Sequence, residues 1–301
     1  MAYDSGRVLV TGASGLLGSA LVPTLKARGY EVTRLVRGQA SGKDEIRWDS
    51  AQPLLPEAAS GFDAVVHLAG ESVATRWSAA KKTKIRESRV AGTRTLVHAL
   101  AKAPKRPRVL ISASAIGFYG DRGDDVLNEK SPAGAGFLAD VCREWEAATQ
   151  PAVDAGIRTI HIRTGIVLSA EGGALKKMLP PFRMGLGGRL ASGRQWMSWI
   201  HIQDWTGAVH HILKNDLLQG AVNMVAPRPV QNTDFTETLA SVLSRPAIFP
   251  LPAFAIQTLF GQMGEEVLLA SQRVEPARLV TSGYPFQCSD LRKALEALLK
   301  R

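Results

Sequence analysis

Gly12, Gly15 and Gly18 stand three residues apart in Val8-Leu9-Val10-Thr11-Gly12-Ala13-Ser14-Gly15-Leu16-Leu17-Gly18. An apolar run precedes them, and a segment with Leu17, Leu21 and Leu25 on one helical face follows. Glycines at this spacing alone would suit any tight strand-to-helix turn. Strand, glycines and helix in that order form a dinucleotide-binding arrangement. The first glycine makes the turn, the second lets backbone approach a pyrophosphate, and the third lets helix and strand pack closely. The helix N-terminus then faces the anion. Gly12, Ser14, Gly15, Leu16 and Leu17 are the contacts expected from this turn.

The second predicted strand ends in Arg34-Leu35-Val36-Arg37-Gly38. An NAD site usually places Asp or Glu here to accept hydrogen bonds from the adenosine ribose. Here that place holds Val36 and Arg37, with no acid following before Asp44. A ribose 2′-phosphate needs a cation instead, and a guanidinium supplies several donors in a fork. Arg37 is the expected selector of NADP(H), with Arg34 a second candidate; an exposed loop arginine is the plainer alternative. After the fourth predicted strand come Leu68-Ala69-Gly70-Glu71, and after the fifth Ser112-Ala113-Ser114-Ala115-Ile116-Gly117-Phe118-Tyr119-Gly120. Small residues at these strand ends would let the nicotinamide half lie against backbone, which adds Leu68, Ala69, Gly70 and Glu71 to the cofactor set. Tyr119 offers a phenol on a glycine-rich loop, unless that loop is simply packed.

These residues need a sheet whose strands end on one edge. Strands are predicted at 7–11, 31–36, 44–48, 63–68, 107–113, 157–162 and 221–225. Helices are predicted at 15–28, 78–102, 136–155 and 204–214. The alternation, with strands too apolar to be solvated on one face, predicts an α/β fold: a doubly wound parallel Rossmann sheet with a small C-terminal lobe. The division expected is 1–230 for the nucleotide-binding domain and 231–301 for a module completing the cleft. A chain of 301 residues, 45% hydrophobic, can bury a core of that size. Two cysteines, Cys142 and Cys288, exclude a disulfide framework and a cysteine-based zinc cluster. No metal site is expected. A strand this near the N-terminus leaves no room for a signal peptide, and 248–263 is too short and too proline-broken for a membrane span. A cytoplasmic protein is the expectation.

The formal net charge is +10, with Arg76, Lys81, Lys82, Lys84, Arg86, Arg89 and Arg94 clustered around the single acid Glu87. Such a run suits phosphate-bearing partners or a solvated helix face. No recognised nucleic-acid module is present, so no nucleic-acid partner is expected.

Together the motifs resemble the extended short-chain dehydrogenase/reductase superfamily of NAD(P)-dependent sugar-nucleotide epimerases and dehydratases. The turn resembles its T-G-x-x-G-x-x-G motif, and Ser114 falls where the catalytic serine is expected. Trp199-Ile200-His201-Ile202-Gln203-Asp204 resembles its F-I-H-V-x-D segment, and Gly220-Ala221-Val222-Asn223 its late G-x-x-Y-N strand. The likeness covers about 1–230. Gly70-Glu71-Ser72, Trp77, Ser88-Arg89-Val90, Gly117-Phe118-Tyr119-Gly120, Trp145-Glu146 and the tail with Gln272-Arg273-Val274-Glu275-Pro276 resemble a divergent bacterial branch labelled "epimerase family" or cell-division-inhibitor-like.

The chain departs from the superfamily at its chemistry. The superfamily's Tyr-x-x-x-Lys pair sets a lysine to acidify a tyrosine that relays protons. Here Tyr3, Tyr30, Tyr119 and Tyr284 are the only tyrosines, and none has lysine four residues on. Aligned on Trp145-Glu146, Leu138 stands at the tyrosine position and Cys142 at the lysine position. Arg89 stands where an asparagine is usual. Ser114 and Tyr119 remain the catalytic candidates, with Glu71, Arg89 and His201 as further polar groups. The resemblance lays 165–200 over a substrate, which makes Arg189, Arg194 and Arg273 expected anion contacts beside Arg89; a mobile glycine-rich loop is the alternative. The expected function is an NADP(H)-dependent oxidoreductase or epimerase acting on a small, anionic substrate. The rival is an NADP(H)-binding regulator without turnover. The oligomeric state is not legible.

Overall fold

A computed structural model describes residues 6–50 and 52–300; Tyr3 lies outside them. In chain order the first half forms β1 (Gly6–Thr11), α1 (Leu16–Ala27), β2 (Tyr30–Val36), β3 (Glu45–Arg47), β4 (Ala64–His67), α2 (Ala79–Lys102), β5 (Val109–Ala115), β6 (Val126–Leu127), α3 (Phe137–Ala147) and α4 (Gln150–Asp154). There follow β7 (Arg158–Thr164), β8 (Ile166–Leu168), α5 (Gly173–Arg183), β9 (Trp196–Met197), β10 (Trp199–His201), α6 (Ile202–Lys214), β11 (Gly220–Met224) and β12 (Val230–Gln231). The chain closes with α7 (Asn232–Leu243), α8 (Ala253–Phe260), β13 (Arg273–Val274), α9 (Ala277–Thr281) and α10 (Leu291–Leu299).

Seven strands form one sheet in the order β11-β7-β5-β4-β1-β2-β3, every neighbouring pair parallel. The expected α/β Rossmann sheet is therefore present. Its side chains sort with the two-residue period of a strand. Val8 and Val10 of β1 pack with Leu21 and Leu25 of α1 and Trp205, Val209 and Ile212 of α6. Leu9, pointing the other way, packs with Leu96 and Leu100 of α2 and Ala152 of α4. Both faces are thus covered, as a parallel sheet requires. The chain leaves β1 toward β2 and β3 and crosses back to β4, so a cleft opens between the carboxyl ends of β1 and β4, the position where such sheets bind ligands.

A third core joins Leu168, Leu175, Leu179, Phe182 and Trp199 to Phe235, Leu239, Leu291 and Leu295, drawing on residues either side of 230. The segment 165–200 is thus not a loop throughout. Leu175, Leu179 and Phe182 recur at helical spacing and bury one face of α5, although Pro180 and Pro181 stand in its last turns. The single helix predicted over 136–155 is broken into α3 and α4, where Pro151 opens a new helix and cannot donate into the old one. Among the described residues no helix is long and apolar enough to cross a membrane, and no group of three or more His, Cys, Asp and Glu side chains could hold a metal ion.

Candidate active site

The cleft at the β1 and β4 ends is a groove of about 510 Å³ lined by Gly12, Ser14, Gly15, Arg37, Leu68, Ala69, Gly70 and Glu71, together with Trp48, Ser50 and Ser88. Local sterics explain the glycines. Gly12 has φ +66°, and a Cβ there would come within 2.7 Å of the Leu68 carbonyl carbon. A Cβ on Gly18 would lie 2.3 Å from the Gly12 oxygen, so α1 seats directly on the turn. Gly15 differs: an added Cβ would meet nothing nearer than the Gly12 oxygen at 3.4 Å, and its free side is the groove. Among the described residues no side chain caps α1, so the amides of its first turn, which have no partner within a helix, are open to an anion. Leu16 and Leu17 contribute backbone to that turn. The Leu16 side chain packs on Gly172 and Gly173, and that of Leu17 on the core.

Arg37 is exposed at the groove rim. Arg34, the second candidate, is tied to Glu45 at 2.9 Å and lies 3.7 Å from Asp44. Glu71 pairs with Lys81 rather than Arg76, and that hydrogen bond is the main reason its pKa is lowered. Arg76 instead donates to the backbone oxygens of Thr258 and Leu259.

A buried histidine holds the floor of the groove. The Thr11 hydroxyl oxygen accepts from the Leu68 and Ala69 amides at 3.1 and 3.2 Å, so its proton goes to His67 Nδ1 at 2.7 Å. His67 Nε2 therefore carries the proton and donates to Thr93 at 3.0 Å, where Trp145 Nε1 also donates at 2.9 Å. Burial pushes the His67 pKa down to about 4. This network pins β1, β4, α2 and α3 to one another.

Beside the groove lies a chamber of about 260 Å³ with walls from Leu138, Val141, Cys142, Trp145, Met178 and Ile116. The two spaces meet at Arg89, which lines the chamber while its guanidinium lies against Gly70 of the groove. Arg89 Nη1 donates to the Glu71 and Ile85 carbonyl oxygens at 2.9 and 3.2 Å, and the guanidinium stacks 5.0 Å from the Trp145 ring. Burial lowers its pKa. The remaining donor side chains of the chamber are committed elsewhere. Gln195 donates to the Leu190 oxygen, Trp196 to Asp124, Ser198 to the Gln272 oxygen, Asn232 to Met197 Sδ and Gln272 to the Gly120 oxygen. Thr164 donates to the Ile162 oxygen. Glu266, the one carboxylate in the chamber lining among the described residues, accepts from the Phe137 and Leu138 amides at 3.0 and 2.8 Å and so caps α3 from the C-terminal part of the chain. Burial raises the Cys142 pKa to about 11 and keeps the thiol protonated.

Ser114 and Tyr119 do not line the chamber. Tyr119 is fully buried; its hydroxyl donates to Asn223 Oδ1 at 2.8 Å and accepts from Arg163 at 3.0 Å. Arg163 in turn makes a two-pronged ion pair with Glu146, both contacts at 2.8 Å, and Ser114 donates to the same carboxylate at 2.7 Å. Both hydroxyls thus belong to a buried polar knot between β5, β7 and α3. Arg189 and Arg194 are exposed and outside the chamber lining, and Arg273 stacks 4.4 Å over the Trp196 ring. Of the four expected substrate-side arginines, Arg89 alone reaches the chamber. His201 is buried, accepts from the Gln203 amide through Nδ1, and leaves Nε2 without a partner among the described residues; it lines neither space. Sequence reasoning passed over His67, Glu266 and the groove residues Trp48 and Ser50. His67 at a strand end before a small-residue step was a readable signal, whereas nothing local marks Glu266.

Comparison with known proteins agrees with this architecture. Residues 8–224 match the model of the NAD dependent epimerase/dehydratase family, and residues 251–298 match a domain of unknown function, DUF1731. An epimerase family protein of Mycobacterium tuberculosis is 41% identical over 96% of this chain and 96% of its own. The epimerase family protein SDR39U1 of Homo sapiens is 37% identical over 97% of this chain and 99% of its own. A crystal structure of the human protein with NADPH superposes with a TM-score of 0.90 at 36% identity, over 98% of this chain and 99% of that one. With residues 8–224, most of its length, matching that family's model, this chain belongs to the NAD dependent epimerase/dehydratase family.

Proposed function

We propose that this protein binds NADP(H) in the groove and carries out oxidoreductase or epimerase chemistry on a small molecule held in the adjoining chamber. The carrying observation is the junction of the two spaces at Arg89, which sets a small-molecule site directly against the far end of a dinucleotide-shaped groove. The open amides of α1, the free side of Gly15 and the exposed guanidinium of Arg37 fit a pyrophosphate and a 2′-phosphate. The human relative crystallised with NADPH supports the choice of cofactor. When bound, the nicotinamide supplies the hydride chemistry. The chain's own part is to hold the substrate, exclude water with Leu138, Val141, Met178 and Trp145, and keep the chamber closed through Glu266.

A second reading, NADP(H) binding without turnover, draws on one observation. The position that carries tyrosine in the superfamily holds Leu138, and Cys142, at the lysine position, titrates only near 11. Proton transfer at neutral pH would need a group whose pKa lies near that pH.

Titration with NADPH and NADH, followed by single-turnover oxidation of bound NADPH against a metabolite panel, separates the readings. Binding with hydride exchange supports the enzyme, and binding without exchange supports the regulator. Arg37→Ala should weaken NADPH by about ten- to a hundred-fold and leave NADH nearly unchanged, the range of a charge-assisted contact. Equal losses for both dinucleotides would remove Arg37 from phosphate recognition.

A further inference from the structure

Arg89 is a half-buried cation that no carboxylate among the described residues pairs with. Its nearest acid, Glu71, is paired with Lys81 and offers the guanidinium only a backbone oxygen. Nη1 carries both of its protein hydrogen bonds, so the edge formed by Nη2 and Nε has no acceptor among the described residues. A guanidinium drawn partly out of water, with one edge open to an apolar chamber, favours an anionic partner there. The Trp145 face beneath it is a weak partner compared with an anion.

The surroundings narrow what that partner is. Chamber donors other than Arg89 are already bonded within the protein, and the Glu266 charge is offset by the α3 N-terminus. The rest of the wall is apolar or aromatic. A ligand with several polar groups would leave most of them unpaired here. One with a single anionic end and an apolar body would satisfy the wall and the guanidinium together.

We infer that the chamber binds a monocarboxylate with an apolar body, its carboxylate on the Nη2–Nε edge of Arg89. This rests on the proposed function for the chamber's role, and it sharpens the substrate class. A guanidinium edge matches the two oxygens of a carboxylate in plane, which an ammonium cannot do. Arg89 would then hold the anion at the boundary with the groove and leave the apolar body against Leu138, Cys142 and Met178.

The test uses benzoate and hexanoate against benzamide and hexanamide, titrated calorimetrically at neutral pH into the NADPH-saturated full chain. The acids should bind about ten- to a hundred-fold more tightly than the amides of the same shape, the range of charge-assisted hydrogen bonds. Arg89→Gln should erase that gap while NADPH affinity stays within a few-fold, and Arg89→Lys should keep part of it. Three results would overturn the assignment: equal binding of acid and amide, no binding of either acid at millimolar concentration, or a parallel loss of NADPH affinity in Arg89→Gln. The last would show the guanidinium serving the dinucleotide. Should the wild type bind no NADPH, the proposed function fails instead, and the acid–amide comparison on the protein alone still decides the role of Arg89.

Discussion

Tyr119 and Ser114 show how a residue of the right type can be turned to another use. Each sits at the expected strand end, but the Arg163–Glu146 pair behind β5 draws both hydroxyls inward. Burial and the two bonds make Tyr119 a structural group, and desolvation raises its pKa, away from proton relay at neutral pH. Tyr119→Phe is therefore expected to lower stability by about 1–3 kcal/mol, because it leaves the Asn223 and Arg163 ends of the knot unsatisfied. Urea unfolding measures that loss, and single-turnover hydride transfer should stay within a few-fold. A loss of transfer of about a hundred-fold or more, the scale of a general acid–base group, would return Tyr119 to the chemistry. Cys142→Ala should likewise leave transfer within a few-fold, since its thiol is protonated at working pH.

At the scale of elements, the glycine turn and the start of α3 carry the site. Gly15 and Gly18 make opposite predictions although both belong to one motif. Gly15→Val has room at its Cβ and should fold normally, but its methyls would occupy the groove, so NADPH binding should be lost. Gly18→Ala places a Cβ 2.3 Å from a backbone oxygen and should lower the thermal midpoint. Calorimetric titration and thermal unfolding of the two variants should show the effects crossing over; undiminished NADPH affinity in Gly15→Val would remove the groove as the cofactor site. α3 has Gly136 at its N-cap, with no side chain to cap it, and Glu266 supplies a carboxylate from later in the chain. Glu266→Ala should cost about 0.5–2 kcal/mol in urea unfolding, the usual worth of a cap. An unchanged midpoint would mean that water replaces the carboxylate at no loss.

The whole molecule responds to acid through its buried imidazoles. His67 is neutral in the fold, with a pKa lowered from 6.5 to about 4 by burial. A group whose folded pKa is depressed contributes its full stability above its unfolded pKa and loses it as pH falls toward the folded one. Stability should therefore hold above about pH 6.5 and decline toward pH 4, by roughly 3 kcal/mol from His67 alone. Burial lowers the pKa of His161, His201 and His211 as well, so they push in the same direction. Urea midpoints measured from pH 7.5 to 4.5 should fall, and His67→Gln should flatten the slope. A level profile in the wild type would show His67 protonating in place without penalty. The C-terminal segment is joined at this scale too: Asp204 at the start of α6 accepts from the Gln287 and Cys288 amides at 2.9 and 2.8 Å and fastens that segment to α6.

The glycine turn, the parallel sheet and the absence of a tyrosine–lysine dyad were all legible in the sequence, because each follows from contiguous residues. A steric demand at Gly12 or a two-residue apolar period along Val8, Leu9 and Val10 acts within one turn or one strand. Gly12, Ser14, Gly15, Arg37 and the run from Leu68 to Glu71 were legible for the same reason, since they follow strands whose ends a parallel sheet brings to one edge, whereas Trp48 and Ser50 were not. Only the tertiary structure decided the chamber. Tyr119 turns inward because Asn223, 104 residues later, offers an acceptor there, and α3 is capped by a carboxylate 128 residues beyond Leu138. Arg89 stood in the sequence both as a cation of a basic run and as an expected anion contact; the fold paired its nearest acid with Lys81 and set the guanidinium against a tryptophan. Side-chain partners so far apart in sequence are chosen by packing, and burial then decides whether a charge is solvated, paired or left waiting for a ligand.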